Sequence, residues 1–557
     1  MLLPGVPSLY VDSLRLSKGS GQPVPAGVDI RSSACGHAAL VRDEYTPVLI
    51  IGGGSVGLSA ALFLSSQGVP SVLVERHDTI SVHPRAWGWY PRTLELFRQA
   101  GIADAVLAAS EGFAGHNLNG KVESLAGKEI VVSVIPEPDE VGGVSPIPRI
   151  ISLPQDRVEP IIRDRAVELG ADLRFGTEVT GLETQDGRTV ATVVNGGEKY
   201  TISAKYVIAA DGTRGRIRES LGIERGGRGV MRHQISILFH ADLAPALGER
   251  RFAVCQVENP EVSGVLGHDD TLLQGTLIST FHPERGERPE DFTPERCVHL
   301  VRAAVGVPDL AVELRDVLTW EMASFGAETY ARGNVFLAGD AAHVIPPVGG
   351  YGAGTGIQDV HNLAWKLRAV LAGHASERLL ETYDAERRPV AAATIQQAEL
   401  RLAARAGFAT PEQQAMVLDT MSVTFGYHYS SASICPEKAD DLPTFVHPTE
   451  LTGRPGTRAP HLWARRDGAT ISILDLFGTE AVLLCGPDGE DWRGAAEDLP
   501  LRVHRIGRDL EADGWPEAYG VPYDGAVLVR PDGFVCWRSG SSELGLAEAL
   551  DRMMCRS

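Results

Sequence analysis

The sequence predicts an α/β protein of several domains built around a dinucleotide-binding fold. Three observations carry this. Thr46 to Arg76 reads as strand, glycine turn, helix, strand. From about 225 to 330, apolar and polar residues alternate with the period of two that marks half-buried strands. Beyond about 446, short apolar runs alternate with helical pieces, the pattern of a small α/β unit.

The first stretch is the most informative. Pro47-Val48-Leu49-Ile50-Ile51 runs into Gly52-Gly53-Gly54-Ser55-Val56-Gly57, then a helix-period segment, then Ser71-Val72-Leu73-Val74 and Glu75-Arg76. Gly52, Gly54 and Gly57 fit the G-x-G-x-x-G spacing, with an acid about twenty residues on. Gly52 permits the tight turn, Gly54 lets backbone approach a pyrophosphate, and Gly57 lets helix and strand pack closely. The free N–H groups at the helix start hold the anion. Glu75 is suited to ribose hydroxyls.

Residues 1–44 carry Gly, Ser and Pro clusters without periodicity and read as an extension, disordered or draped. Residues 45–224 read as the first part of the dinucleotide domain. Arg85 and Arg92 stand just past its second strand, where a guanidinium can fork onto phosphate oxygens; for Arg92 a solvated role is an equal alternative. Trp87 and Trp89 read as packing. Residues 115–150 read as extended and loop segments, followed by a helix entered at Gln155 and stopped by Gly170. Tyr206 to Ala210 reads as a buried strand ending at Asp211-Gly212. Residues 225–330 form the β-rich domain. The stretch 331–445 returns to the dinucleotide domain, with a strand ending at Gly339-Asp340. Next come the glycine-rich loop Pro346 to Gly356 and two long helices, Ile357 to about Ala372 and Arg378 to about Arg405. Residues 446–557 form the C-terminal unit.

Composition narrows the function. The net charge is −20, against the basic footprint that nucleic acid or an anionic membrane surface requires. No apolar run approaches a membrane span, and the start lacks the features of a signal peptide. The seven cysteines show neither C-x-x-C nor metal spacing, so no metal is expected and a reduced, cytoplasmic setting is.

Three distant stretches then combine: the glycine fingerprint ending at Glu75, Asp211-Gly212, and Val335-Phe336-Leu337-Ala338-Gly339-Asp340-Ala341-Ala342-His343 with its loop. Together with Gly356-Ile357-Gln358-Asp359-Val360-His361-Asn362-Leu363-Ala364-Trp365-Lys366-Leu367 and Tyr383-Asp384-Ala385-Glu386-Arg387-Arg388-Pro389, they resemble the class A FAD-dependent aromatic monooxygenases, in particular the aromatic polyketide hydroxylases of antibiotic pathways. The resemblance implies a Rossmann-like FAD-binding domain, a β-rich substrate domain and a C-terminal thioredoxin-like domain. It implies FAD and NADPH as cofactors, O2 and a small aromatic molecule as substrates, and no nucleic acid or membrane partner. A homodimer stays open.

Residue by residue, Gly52, Gly54, Ser55, Val56, Gly57 and Glu75 match the part that binds the ADP half of FAD, with Arg76 following. Arg85 matches an arginine near the pyrophosphate and Gln155 a polar cofactor contact. Asp211 matches an aspartate linked to both FAD and NADPH. Gly339 and Asp340 match the ribityl contact. Pro347, Gly352, Ala353 and Gly354 fall in the loop beside the isoalloxazine. Gly354 stands where relatives often carry asparagine, and Gly215 near a usual serine. The C-terminal unit lacks the thioredoxin cysteine pair, with Cys485 and Cys536 isolated, so packing or assembly is its expected role. His343 reads as structural, with no visible partner.

The implied chemistry is hydroxylation of a polycyclic aromatic through a flavin C4a-hydroperoxide after reduction by NAD(P)H. The cofactor carries the hard step, so no Ser/His/Asp set is needed, and no catalytic side chain is named. Baeyer–Villiger insertion by the same fold and a non-catalytic FAD-binding scaffold are the alternatives.

Overall fold

A computed structural model describes residues 43–135, 141–147, 149–185, 187–437 and 443–556. The expected extension lies outside these, except that Asp43 and Glu44 begin the first strand. Asp43–Ile51 pairs in parallel with Ser71–Val74 on one side and Glu198–Ala209 on the other. Asp172–Arg174 extends one flank and Val335–Leu337 the other, also in parallel. Val48 to Ile51 are buried throughout, as suits a parallel strand covered on both faces. The helix Ser55–Ser66 packs on Gln155–Glu168 and Gly352–Leu371. Five parallel strands therefore end at one edge, where ligands bind in open α/β sheets.

The second sheet has eight strands. Their order is His343–Val344, Glu313–Ala327, Arg225–His240, Gln274–Phe281, Ser263–His268, Phe252–Glu258, Leu118–Val122 and Glu129–Val134. The last two correct the sequence-based borders: 118–134 lies inside the stretch assigned to the first part of the dinucleotide domain. Leu118–Val122 lies parallel to Phe252–Glu258. Gly120 makes this pairing fit, because a Cβ there would lie 2.5 Å from the Phe252 ring. The glycine breaks the strand pattern that would have signalled the element.

The C-terminal unit forms a four-stranded sheet in the order Leu501–Arg505, Ala481–Cys485, Ala526–Val529, Val535–Arg538. The first pair is parallel and the others antiparallel, with short helices at Asp491–Ala495 and Trp515–Tyr519 and a closing helix Leu546–Met553. This is a thioredoxin-like arrangement. Two buried ion clusters dock it. Arg530 donates to Glu386 Oε1 (2.6 Å) and Oε2 (2.9 Å), and Lys366 Nζ donates to the same carboxylate at 2.7 Å. Arg458 pairs with Glu95, which also accepts from Arg92 at 2.9 Å. Arg92 is thus not solvated: it is buried in an ion pair with Glu95. Nor is Cys536 isolated. Its sulfur lies 3.9 Å from that of Cys435, and the described cysteines are free and buried.

Candidate active site at the carboxyl ends of the parallel strands

The glycine turn has little freedom. Gly52 has φ +110°, and a Cβ there would lie 2.2 Å from the Ala210 carbonyl oxygen. A Cβ on Gly57 would lie 1.9 Å from the Gly52 carbonyl oxygen. At Gly54 the nearest atom to a Cβ is 3.9 Å away, so this position is open for a ligand to approach. The helix starting at Ser55 has no side-chain cap, and its first N–H groups are left for an anion. Val56 contributes backbone there, while its side chain wedges against Gly339 and Gly356, where added Cβ atoms would meet it at 2.8 and 2.7 Å. Three distant segments are locked together by that contact.

Glu75 sits at the end of the second strand. Its Oε2 accepts from the Gly53 N–H at 2.6 Å and its Oε1 from the His77 N–H at 2.9 Å. Burial raises its pKa, but the backbone donors of His77 and Gly53 outweigh this and hold the carboxyl below its ordinary value. It is therefore a charged acceptor at the crevice rim.

The sequence reading missed Glu159, the residue beneath the turn. It is buried, and its Oε1 accepts from Ser55 Oγ at 2.9 Å and from Gln155 Nε2 at 2.7 Å. Gln155 in turn accepts weakly from the Ala86 N–H at 3.3 Å. Burial pushes the Glu159 pKa up, opposed by Gln155, Ser55 and the charge of Arg85. A glutamate on a polar helix face looks solvated in sequence, and only the packing of two helices reveals it.

The neighbouring strand ends bring Asp211 and Asp340 together. Thr213 Oγ1 donates to Asp340 Oδ2 at 3.2 Å. Asp340 is open to solvent along the crevice yet deep among protein atoms, and that desolvation raises its pKa, countered by His343, Thr213 and Arg85. Asp211 is raised by burial as well, with the Ile217 N–H and the charge of Arg76 opposing. Arg76 and Arg85 are exposed, and their positive charges act across the crevice on these acids. The glycine at 215 now has a cause: a Cβ would lie 2.1 Å from Asp211 Cγ.

The second glycine loop corrects the expected helix start. The helix runs Gly352–Leu371, so Ala353 and Gly354 lie in its first turn rather than in the loop, and no side chain caps it. Gly350 N–H donates to Pro347 O at 3.0 Å, forming the turn before it. The Tyr90 hydroxyl donates to the Gly349 carbonyl, and its ring stacks on Tyr351. A Cβ at Gly354 would meet Thr93 Oγ1 at 2.9 Å.

His343 has a partner after all. Its Nε2 lies 2.6 Å from Asp359 Oδ2, which also accepts from the Gly339 N–H at 3.1 Å. Arg387 Nε donates to Asp359 Oδ1 at 2.8 Å. All three side chains are fully buried, so the network braces the loop from below.

These features fit FAD. Two uncapped helix starts face one crevice, glycine leaves room for close approach, and Asp211 Oδ1 and Glu159 Oε2 are buried acceptors without a protein partner. The comparisons agree. Residues 45–398 match the FAD binding domain family model and 452–557 the aromatic-ring hydroxylase C-terminal domain. The chain belongs to the FAD-dependent aromatic-ring hydroxylases. A 4-methyl-5-nitrocatechol 5-monooxygenase of Burkholderia sp is 42% identical, covering 92% of this chain and 98% of that one. The tetracenomycin A2 monooxygenase-dioxygenase of Streptomyces glaucescens is 40% identical, with the same coverage of each. The solved ternary complex of aklavinone-11 hydroxylase with FAD and aklavinone superposes with TM-score 0.83 at 36% identity, over 92% of this chain and 100% of that one. The hydroxylase is a flavin-dependent aromatic monooxygenase, and NADPH is the reductant usual in the family. Among the described residues, no helix is long and apolar enough to cross a membrane.

Proposed function

We propose that this hydroxylase inserts one atom of O2 into an electron-rich polycyclic aromatic ring of the aromatic polyketide kind. The overall balance is substrate-H, O2, NADPH and a proton to hydroxylated substrate, NADP+ and water. FAD, when bound, would supply the hydride-accepting and O2-activating chemistry.

The chain's own residues bind and orient. Backbone at Gly52, Gly54, Ser55, Val56 and Gly57 takes the pyrophosphate, with Arg85 balancing its charge. Glu75 accepts from the adenosine ribose, and Arg76 flanks it. Gln155, set by Glu159, faces the cofactor. Asp340, with Gly339, receives the ribityl hydroxyls, and Asp211 stands beside it where pyridine nucleotide arrives. The backbone N–H groups of Gly352, Ala353 and Gly354 at the helix start face the isoalloxazine carbonyls, and Pro347 shapes the loop beside the ring. Domain borders follow the sequence reading, with 118–134 moved to the substrate domain. The compartment we infer is the cytoplasm, since the described cysteines are free.

The carrying observation is the meeting of Gly54, Asp211 and Asp340 at one strand edge opposite the second sheet. The test is NADPH consumption by purified protein with a polycyclic phenol, followed by product analysis under isotopically labelled O2. One labelled oxygen as a ring hydroxyl supports the proposal. Label inserted beside a ketone supports Baeyer–Villiger chemistry, and flavin that NADPH never reduces supports the scaffold reading.

A further inference from the structure

The second sheet carries a polar row on the face turned toward the dinucleotide domain. Ile235, Ile237 and Phe239 pack into a core with Cys297, Leu300 and Val301 of the helix Pro294–Val305. Side chains alternate along a strand, so Gln234, Ser236 and Leu238 lie on the other face. Three contacts show where that face looks. Arg214 donates to the Thr319 carbonyl at 2.7 Å. His83 Nε2 lies 2.9 Å from Asp316 Oδ2, and Asp316 opposes Leu238. The Trp87 ring lies 3.2 Å from a Cβ built on Gly267, and Gly267 opposes Thr276, which opposes Leu238.

On this face Gln234 opposes Thr280 on one neighbouring strand and Trp320 on the other. Gln234 Nε2 donates to Thr280 Oγ1 at 3.0 Å. Trp320 Nε1 donates to Ser236 Oγ at 2.9 Å. Both hydrogen bonds fix rotamers by using the donors, and they leave the Gln234 carbonyl oxygen and the indole face for something else.

We propose that Trp320 and Gln234 are specificity-determining residues for the aromatic substrate. The indole, pinned by Ser236, is the plate on which a flat fused ring lies. The Gln234 Oε1 accepts a hydrogen bond from a phenolic hydroxyl of that ring. A site built to pair with a hydroxyl rejects the analogue that lacks it, because its buried polar group is then left unpaired. The inference rests on the aromatic-hydroxylase reading above.

The test uses full-length holoenzyme and two probes, 2-hydroxyanthraquinone and 2-methoxyanthraquinone, with Kd read from perturbation of the flavin absorption spectrum. Gln234→Leu weakens the phenol about 10-fold and leaves the ether within about twofold, as expected for one lost hydrogen bond. Gln234→Glu keeps an acceptor and retains the preference for the phenol. Trp320→Leu weakens both probes by about 10-fold. Equal effects of Gln234→Leu on the two probes, or none, overturn the proposal. Wild-type holoenzyme that binds neither probe overturns the aromatic-substrate reading beneath it, a separate failure. Retained flavin in each variant shows that the fold is intact.

Discussion

Replacing Glu386 with glutamine tests how the C-terminal unit is held. The Glu386 carboxylate is fully buried and accepts from Arg530 twice, from Lys366, from Asn362 Nδ2 (2.7 Å) and from Ser431 Oγ (2.7 Å). Burial alone would raise its pKa, but Arg530 and Lys366 hold it well below the usual carboxylate range. Burial lowers Lys366 to about 8, with Glu386 opposing. Glu386→Gln keeps the volume and removes the charge, leaving Lys366 without its carboxylate and Arg530 with Asp532 alone. Removing one partner of a buried pair costs about 3–5 kcal/mol. At about 2 °C per kcal/mol for a large domain, Tm by circular dichroism falls by about 6–10 °C. The pH dependence has a definite sign. A depressed carboxyl contributes stability above its unfolded pKa of about 4.3, and that stability is lost as pH falls through the folded value. The gap between wild type and variant is therefore full at neutral pH and narrows in acid. Adding Lys366→Met to Glu386→Gln recovers part of the loss, since it removes the orphaned cation. A single variant within about 1 °C of wild type at neutral pH would refute the reasoning.

Three further outcomes are expected. Gly57→Ala forces a Cβ to 1.9 Å from the Gly52 carbonyl oxygen, so the protein should purify with little flavin, read from the ratio of visible to ultraviolet absorbance. Asp340→Asn removes a carboxyl whose pKa is raised; the flavin-free protein should melt higher at neutral pH, the gain should fade as pH falls and wild type protonates, and FAD retention should drop. Gly215→Ser places a Cβ 2.1 Å from Asp211 Cγ; pairing it with Asp211→Gly should relieve the clash, and Tm of the single and double variants checks this.

The local features were legible in the sequence and the distant pairings were not. The glycine turn can be read because period, glycine and acid fall within one short stretch, and the helix Arg378–Arg405 shows both its ends in the sequence. The start of the Gly352–Leu371 helix is hidden in the sequence because glycines at 352, 354 and 356 weaken helix propensity, which packing against Val56 and Gly339 overrides. Arg92 and Glu159 look alike in sequence, as charges on helices. Burial makes one a structural ion and the other a brace under the cofactor turn. Cys435 and Cys536 meet across 101 residues, a separation no spacing rule reaches.

The parallel seam between Leu118–Val122 and Phe252–Glu258 limits how selectivity can be exchanged within this family. A chimaera that transplanted only 225–330 from a homologue would leave two host strands stitched to a foreign edge, with Gly120 required to sit under whatever replaces Phe252. Crossovers at those borders should yield misfolded hybrids, so new substrate ranges are reached more readily by point changes on the inner surface of the sheet than by shuffling whole modules.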